Sequence, residues 1–232
     1  MNTPEELNWL VQHHHDIEGL LEALRQQSLV PQGGANDAAG LRQKLQNVND
    51  LLNLIMAQRQ AVNYLEGFTA TQMDLYLYKS MDATIRAARA WASYYNRKVR
   101  IQLTGKSHAC VRGPNYFNMV PWTLLQNAVK YCASGSIINC EVNDGETRIA
   151  GSVTSLGPYV HDDEVEKIFE SGYRGREART MDKGSGLGLY NARRAMREEF
   201  FGDILFERSS PPMDLSGRKF GYCRFTIVLN RQ

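Results

Sequence analysis

The stretch that decides the fold is Lys183-Gly-Ser-Gly-Leu-Gly-Leu189. Its three glycines, Gly184, Gly186 and Gly188, alternate with small or apolar residues, and a helical pattern follows at once. Glycine lets a backbone approach a phosphate closely, and the first turn of a helix offers unpaired N–H groups at the positive end of its dipole. The stretch departs from both the Walker pattern and the dinucleotide fingerprint, so a tight structural turn stays open as the alternative.

A second signal lies upstream, at the end of the helical segment 116–132, which reads Leu124-Leu-Gln-Asn-Ala-Val-Lys-Tyr131. Leu124, Leu125 and Ala128 suit a core, and Asn127 falls beside that face, where its amide can enter a pocket. Asparagine inside a helix is unfavourable without a partner, and a Mg²⁺ ion carrying phosphate oxygens would supply one. A solvent-facing Asn127 is the alternative and, for a single residue, the commoner case.

Two more segments accompany these signals. Residues 153–160 (VTSLGPYV) are predicted to be the end of a strand running into a Gly-Pro turn. Residues 168–174 (IFESGYR) precede the polar stretch 175–182, which is typical of a mobile lid that closes over a nucleotide. An ordinary surface loop is the alternative for that stretch.

The remaining pattern between residue 73 and the end of the chain mixes helices with short strands. Helices are predicted at about 73–96, 116–132 and 187–201, and a loop at 209–217. The strand-like runs are 99–103, 109–112, 137–142, 147–153, 203–207 and 222–229. This order predicts an α+β sandwich in which helices cover one face of a sheet.

The first part of the chain has a different pattern. Residues 5–28 and a stretch beginning near Ala38 carry apolar positions at alternating steps of three and four, which is typical of helices packing along one another. These positions are Leu7, Leu10, His14, Ile17, Leu21 and Leu24, then Leu41, Leu45, Val48, Leu52, Ile55 and Val62. Residues 30–37 (VPQGGAND) break the pattern. We therefore predict an antiparallel two-helix hairpin over 1–68, completed as a four-helix bundle by homodimerisation, and a second domain over 72–232.

Composition narrows the function classes. The net charge of +2 gives no strong electrostatic case for nucleic acid or a membrane surface. No apolar run approaches the roughly 18 residues that span a bilayer, and the acidic N-terminus is unlike a secretory signal. The four cysteines are scattered, which favours reduced thiols in the cytoplasm over a disulfide or a zinc site.

Taken in order, the four segments resemble the nucleotide-binding boxes of sensor histidine kinases, within the wider group of gyrase, Hsp90, histidine kinase and MutL ATPases. The N box resembles 123–131, the first glycine box 155–160, the F box 168–174 and the second glycine box 184–189. The resemblance covers about residues 72–230. It implies a Bergerat-type α/β sandwich that holds ATP and Mg²⁺ between its helices and a lid. The implied binding residues are Asn127, Lys130, Tyr131, Ser155, Gly157, Arg174, Lys183, Gly184, Gly186, Leu187 and Gly188, with Asn127 as the metal ligand.

The sequence departs from the family pattern at three positions. Ser155 stands where the family usually has an aspartate that accepts a hydrogen bond from the adenine amino group. A hydroxyl can accept that bond, but charge-assisted hydrogen bonds are roughly twice as strong as neutral ones. Tyr159 replaces the final glycine of the same box. Thr123 replaces the first asparagine of the N box, and threonine cannot serve as the carboxylate base of the hydrolytic members.

The predicted hairpin resembles, less specifically, the dimerisation and phosphotransfer domain of the same kinases. There the phosphate-accepting histidine is typically followed by an acid, as His15 is followed here by Asp16. The helical phase buries His14 and turns His15 toward water, as a nucleophile requires, and Asp16 would orient its imidazole. A solvated patch of three histidines is the alternative, and His13 is a poorer candidate because Asp16 does not adjoin it.

These observations predict a cytoplasmic histidine kinase core. It would autophosphorylate on His15 and pass the phosphoryl group to the receiver domain of a response regulator, with a separate sensor protein supplying the input. A degenerate phosphotransfer or regulator-docking protein that binds no ATP is the first alternative. A protein-serine kinase controlling a sigma-factor partner is the second, although it has no use for the hairpin.

Overall fold

The computed structural model describes residues 21–22, 38–65, 70–181, 184–209 and 211–231 of the 232-residue chain. The first helix of the predicted hairpin, apart from residues 21–22, lies outside the described residues. His15, Asp16 and Lys183 also lie outside them. The hairpin, its dimeric bundle and the division at residues 68–72 therefore stay predictions.

From residue 38 onward, the described chain forms five α-helices and eight strands. The helices are α1 (Ala38–Leu65), α2 (Leu77–Tyr94), α3 (Met119–Tyr131), α4 (Arg176–Arg179) and α5 (Gly188–Glu199). The strands are β1 (Gln72–Tyr76), β2 (Arg100–Gly105), β3 (Cys110–Pro114), β4 (Ile137–Asp144), β5 (Arg148–Pro158), β6 (Gly202–Arg208), β7 (Met213–Leu215) and β8 (Arg218–Asn230). Two short 3-10 turns, Asp162–Glu164 and Lys167–Phe169, follow β5. None of the described helices is both long and apolar enough to cross a membrane.

One mixed sheet carries the fold, with strand order β2-β4-β5-β8-β6 and β7 added beside β8. Its pairs are antiparallel except β2 with β4, which are parallel. Strands β1 and β3 form a separate antiparallel ribbon. Helices α2 and α3 pack on β5, and α5 packs on α3 and β6. The result is the predicted mixed α/β sandwich.

The core between the helices and the sheet follows the helical periods. Leu77, Met81, Ile85 and Ala88 form the buried stripe of α2, at steps of three and four. Leu124, Leu125 and Ala128 of α3 are buried, as the sequence predicts. The rings of Trp91 and Trp122 meet edge to face with their centroids 5.9 Å apart, which joins the two helices.

Helix α1 packs against this core. Leu51 and Leu54 are buried in it, whereas Leu45 and Leu52 of the predicted apolar seam are exposed. Asp50, beside Leu51, is also buried and forms an ion pair with Arg86 of α2. Leu51 and Leu54 thus lie one position before the seam residues Leu52 and Ile55, and Ile55 itself is half-buried against the core.

The predicted element boundaries were wrong in three places. The helix predicted at 73–96 begins only at Leu77, because residues 72–76 pair with β3, a partner far along the chain. The turn predicted at Gly157-Pro158 is still strand, since both residues pair with β8. Proline is tolerated there because β4 pairs with β5 only as far as Thr154, which leaves this end of β5 at an edge. The loop predicted at 209–217 contains β7. It turns into β8 through Ser216 and Gly217, whose φ values of +55° and +77° are those of a tight hairpin turn.

Candidate functional site

A cavity of about 960 Å³ opens between α3, strands β5 and β8, the segment after the 3-10 turns, and the start of α5. Every predicted binding residue that the structure describes lines this cavity. They are Asn127, Lys130, Tyr131, Ser155, Gly157, Arg174, Gly184, Gly186, Leu187 and Gly188. The fold therefore brings together segments that are up to about 60 residues apart, although the roles assigned to these residues stay predictions.

The charge of the cavity wall is of one sign. Its charged side chains, within the described part of the chain, are Arg97, Lys130 and Arg174, and no aspartate or glutamate lines it. Groups of three or more potential metal ligands do not occur among the described residues either. Such a wall suits a polyanion, and any metal ion bound there has to bring its own anionic ligands.

Gly184 marks the point where the polar side chains converge. A Cβ atom added there would lie 3.3 Å from Tyr131 Oη, 3.5 Å from Lys130 Nζ and 3.9 Å from Arg174 Nε. The backbone of Gly184 thus faces a hydroxyl and two cationic groups that come from α3 and from the segment before α4. A larger residue at this position would occupy the space between them.

Gly186 connects the glycine turn to the segment that carries Arg174. Its φ of +74° lies in the left-handed region, and an added Cβ would lie 2.6 Å from Tyr173 O and from Gly172 C. Glycine is required here both for the backbone conformation and for the close approach. At Gly188, by contrast, an added Cβ would meet the Thr123 methyl group at 3.3 Å, so the start of α5 packs directly on α3.

The N-terminus of α5 faces the cavity, because Leu187 and Gly188 line it. The first turn of this twelve-residue helix contains no acidic residue. Its free N–H groups and the positive end of its dipole therefore add to the attraction that Lys130 and Arg174 exert on an anion.

Glu164 is a site residue that the sequence analysis missed. Its side chain is fully buried and accepts hydrogen bonds from Tyr173 Oη at 2.8 Å, the Arg176 amide at 2.8 Å and the His161 amide at 3.1 Å. Burial alone would raise the pKa of this carboxyl, but the hydrogen bonds outweigh burial and lower it. Glu164 lies three residues after His161, where a helical turn begins, and this spacing is typical of a capping box. The spacing was the feature of the sequence that could have identified Glu164.

The polar stretch predicted to be a lid contains α4 in its described part. Glu177 of α4 accepts a 3.4 Å hydrogen bond from the Lys219 amide of β8, and its other carboxylate oxygen lies 3.4 Å from His161 Nε2. The guanidinium of Arg179 lies 5.5 Å from the Tyr173 ring centre. These contacts hold the segment on both sides of Arg174.

The sheet side of the cavity has a different chemistry. Ser155 lies directly opposite Cys223 in the β5–β8 register, and both line the cavity with Val153 and Phe225. Burial raises the pKa of the Cys223 thiol to about 12, which keeps this thiol neutral. The sheet side is therefore uncharged, and one hydroxyl and one thiol are the polar groups on an otherwise apolar surface.

Tyr159, in place of the family's glycine, fits the structure through a compensating glycine. A Cβ at Gly221 would lie 3.0 Å from Tyr159 Cδ2, so the absent side chain there leaves room for the ring. The Arg208 guanidinium lies 4.6 Å from the centre of the same ring, and the His161 ring meets it edge to face. Tyr159 is therefore a packed part of the wall that does not fill the cavity.

Comparison with known proteins identifies the family of the chain. The family described as histidine kinase-, DNA gyrase B-, and HSP90-like ATPase matches residues 116–232, just over half of the chain. The sensor histidine kinase YcbM of Bacillus subtilis is 32% identical over 109 residues, which are 47% of this chain and 32% of that protein. The sensor protein BceS of Halalkalibacterium halodurans is 38% identical over 72 residues, or 31% of this chain and 21% of that protein. The chain thus spans a third or less of these relatives.

Solved structures share the fold at low sequence identity. The catalytic domain of histidine kinase ThkA, in a nucleotide-free form, has a TM-score of 0.53 at 20% identity, covering 69% of this chain and 97% of that domain. Histidine kinase AdeS of Acinetobacter baumannii has a TM-score of 0.50 at 16% identity, covering 96% of this chain and 97% of that structure. At these identities the likeness concerns the fold alone.

Proposed function

Because the chain belongs to the family of histidine kinase-, DNA gyrase B- and HSP90-like ATPases, we propose that residues 72–232 bind Mg·ATP and act as the catalytic domain of a protein-histidine kinase. The observation that carries the proposal is that one cavity gathers all the described candidate residues, and that the charged side chains lining it, among the residues the structure describes, are all positive. The enzyme would autophosphorylate and pass the phosphoryl group to a response-regulator receiver domain.

The triphosphate is assigned to the side of the cavity where Lys130, Arg174 and Gly184 meet and where α5 begins. Asn127, half-buried on α3 and lining the cavity, would supply one oxygen ligand to Mg²⁺. The described wall holds no cluster of acids, so the other ligands would be phosphate oxygens and water. When bound, the metal neutralises charge on the phosphates during transfer.

The lack of a carboxylate in the described cavity wall favours transfer over hydrolysis. Activation of water needs a general base within hydrogen-bonding reach, and Thr123 cannot act as one. A nucleophile brought in from outside needs no such base in this wall. The reaction we propose is therefore attack by an imidazole nitrogen on the γ-phosphorus, with cleavage of the bond to the β–γ bridging oxygen and departure of ADP.

We assign the nucleophile to His15, on the first helix of the predicted hairpin, with Asp16 orienting its ring. The hairpin would dimerise into a four-helix bundle, and a separate sensor protein would supply the input. The phosphoryl group would then pass to an aspartate of the receiver domain.

Nucleotide binding tests the first half of the proposal. We expect wild-type protein to bind ATP in a Mg²⁺-dependent manner, and Asn127→Ala to weaken binding at least about tenfold, since a lost metal ligand removes more than about 1.4 kcal/mol. Asn143→Ala, on the exposed end of β4, is the matched control and should bind like wild type. Absence of binding at millimolar ATP, or normal binding by Asn127→Ala, would refute the site.

Phosphoryl transfer tests the second half. With γ-labelled ATP, we expect a protein-bound label that is stable to alkali and labile to acid, absent from His15→Ala and retained in His13→Ala. Unchanged labelling of His15→Ala would remove His15 from its role while leaving the binding site intact.

A docking protein without ATP binding is the second candidate, and Ser155 and Tyr159 are the observations that favour it. It predicts that a receiver domain binds this chain equally well with and without nucleotide. The same titration separates the two functions, because only the kinase proposal requires saturable Mg·ATP binding.

A further inference from the structure

The purine base of a bound nucleotide has to rest on the sheet side of the cavity. Two of the three cationic groups, Lys130 of α3 and Arg174 before α4, converge on Gly184 beside the first turn of α5, and they attract the triphosphate to that side; the third, Arg97, lies between α2 and β2. Across the cavity, β5 and β8 present Val153, Ser155, Cys223 and Phe225, and none of these side chains carries a charge. Three of the four are less than a tenth exposed, so this is the dry part of the site.

Ser155 is the polar side chain on that wall that is available to a ligand. The thiol of Cys223, directly opposite, already donates to Pro158 O at 3.5 Å. The Ser155 hydroxyl makes no side-chain hydrogen bond to another described residue, and an added Cβ on Gly157 would lie 3.9 Å from it. Within the described part of the chain, its proton and its lone pairs are therefore unused, and the residue lines the cavity.

A hydroxyl in this position can form a hydrogen bond with either a donor or an acceptor on the ligand. It can rotate to accept from an amino group or to donate to a carbonyl, whereas an ionised carboxylate can only accept. Purine nucleotides differ at position 6 in this respect, with an amino donor in ATP and an oxo acceptor in inosine and guanosine triphosphates. A site rejects the wrong group only when a fixed partner leaves a buried polar atom unpaired.

We propose that this domain accepts 6-oxo purine triphosphates as well as ATP, because Ser155 reads the purine edge without distinguishing a donor from an acceptor. The inference rests on the proposed function, since it concerns the base of the nucleotide bound in the same cavity. It also follows from the described wall, which offers no aspartate or glutamate to select the amino group.

Displacement of a fluorescent ATP analogue from the full chain tests the inference. ITP is the matched probe because it differs from ATP only at position 6 and at the adjacent ring proton, and GTP extends the test to the 2-amino group. For wild type in Mg²⁺, we expect the dissociation constants of ATP and ITP to agree within about fivefold, a difference no larger than one neutral hydrogen bond typically contributes.

Two variants separate Ser155 from the rest of the site. Ser155→Asp should favour ATP over ITP by at least about tenfold, because a carboxylate attracts the amino group and repels the oxo group. Ser155→Ala should weaken ATP and ITP by the same factor, about three- to tenfold, since both lose one hydrogen bond. Ser171→Ala, which alters a serine elsewhere on the cavity wall, is the control and should leave the ATP-to-ITP ratio unchanged.

Each outcome decides between the two proposals. If ATP binds while ITP binds more than about fivefold more weakly, the inference fails and the nucleotide site stands. If no nucleotide binds, both fail. If Ser155→Asp does not fold, as judged by circular dichroism, Ser155→Ala decides alone, and wild-type affinity for both nucleotides in that variant overturns the role of Ser155.

Discussion

Tyr173 lies one residue before Arg174 in the sequence, and its hydroxyl donates a 2.8 Å hydrogen bond to the buried carboxylate of Glu164. The same carboxylate oxygen accepts the Arg176 amide, two residues after Arg174. Glu164 thus fixes the backbone on both sides of the cation that faces Gly184, without itself lining the cavity. It is a positioning residue for Arg174.

We expect Glu164→Gln to destabilise the protein at neutral pH and to weaken nucleotide binding. The variant loses charge-assisted acceptance of two backbone amides and one hydroxyl, which costs about 1–3 kcal/mol. The lowered pKa of Glu164 means that its contribution is present above the pKa of about 4.3 found in unfolded chains and is lost as pH falls through the folded value. Urea unfolding at pH 7 and pH 4 checks this, and the gap between wild type and variant should narrow at pH 4.

Glu166→Gln is the control for that experiment, because the Glu166 side chain is 81% exposed and pairs with Arg193 at the surface. It should change neither stability nor its pH dependence measurably. A gap between wild type and Glu164→Gln that is the same at both pH values would contradict the charge-based explanation.

Gly184→Val should lower nucleotide affinity while sparing the fold. The added atoms would press against Tyr131 Oη and Lys130 Nζ, which would lie 3.3 and 3.5 Å from a Cβ and are the far ends of flexible side chains. The Gly184 backbone has no left-handed φ that would strain a larger residue. We expect affinity for ATP to fall at least about tenfold with a melting temperature within a few degrees of wild type. Wild-type affinity would show that no ligand occupies that space.

Gly186→Ala should lower the stability of the fold as well as the affinity for nucleotide. The φ of +74° costs a residue with a side chain about 1 kcal/mol, and the 2.6 Å approach to Tyr173 O forces the glycine turn away from segment 172–173. A lower melting temperature is therefore expected together with weaker binding, as thermal unfolding with and without ATP would show. A stable variant would contradict the backbone contact between the two segments.

The ion pair between Arg86 and Asp50 should be costly to break from one side. The side chain of Asp50 is only 3% exposed, and Arg86 supplies its charge partner while Gln46 donates a 3.1 Å hydrogen bond. Arg86→Met leaves a buried carboxylate without its counter-charge, which typically costs about 3–5 kcal/mol. Chemical denaturation measures the loss, and adding Asp50→Leu to Arg86→Met should recover part of it.

Arg112→Met is the matched control for this pair. Arg112 and Asp74 are 3.6 Å apart with side chains 64% and 62% exposed, so removing the arginine should be close to undetectable. Equal losses for Arg86→Met and Arg112→Met would show that burial of Asp50 against the sandwich has no energetic weight.

The sequence predicted the parts of the site that are local in the chain. The alternation in the glycine turn and the periodicity around Asn127 each fall within one turn or helix, so residue spacing was enough to identify them. Their meeting in one cavity agrees with the prediction made from their order. The sequence also predicted Leu124 and Leu125 as core residues, because helical phase is a local property.

The features that the sequence did not predict depend on contacts with residues far away along the chain. The sequence predicts a helix from residue 73, because the pairing of β1 with β3 cannot be seen in residues 72–76 alone. The same holds for the compensation between Tyr159 and Gly221, and for the burial of Glu164 under Tyr173. In each case a contact between segments outweighs the local preference.

The uniform sign of the cavity charge has a practical consequence for biochemical work on this protein. Phosphate, pyrophosphate, citrate and sulfate share with a nucleotide tail the negative charge that Lys130, Arg174 and the first turn of α5 attract. Dissociation constants measured in such buffers would be inflated by competition, and protein purified in them would carry an anion into the assay. Dialysis into a buffer of a bulky monovalent acid removes that interference.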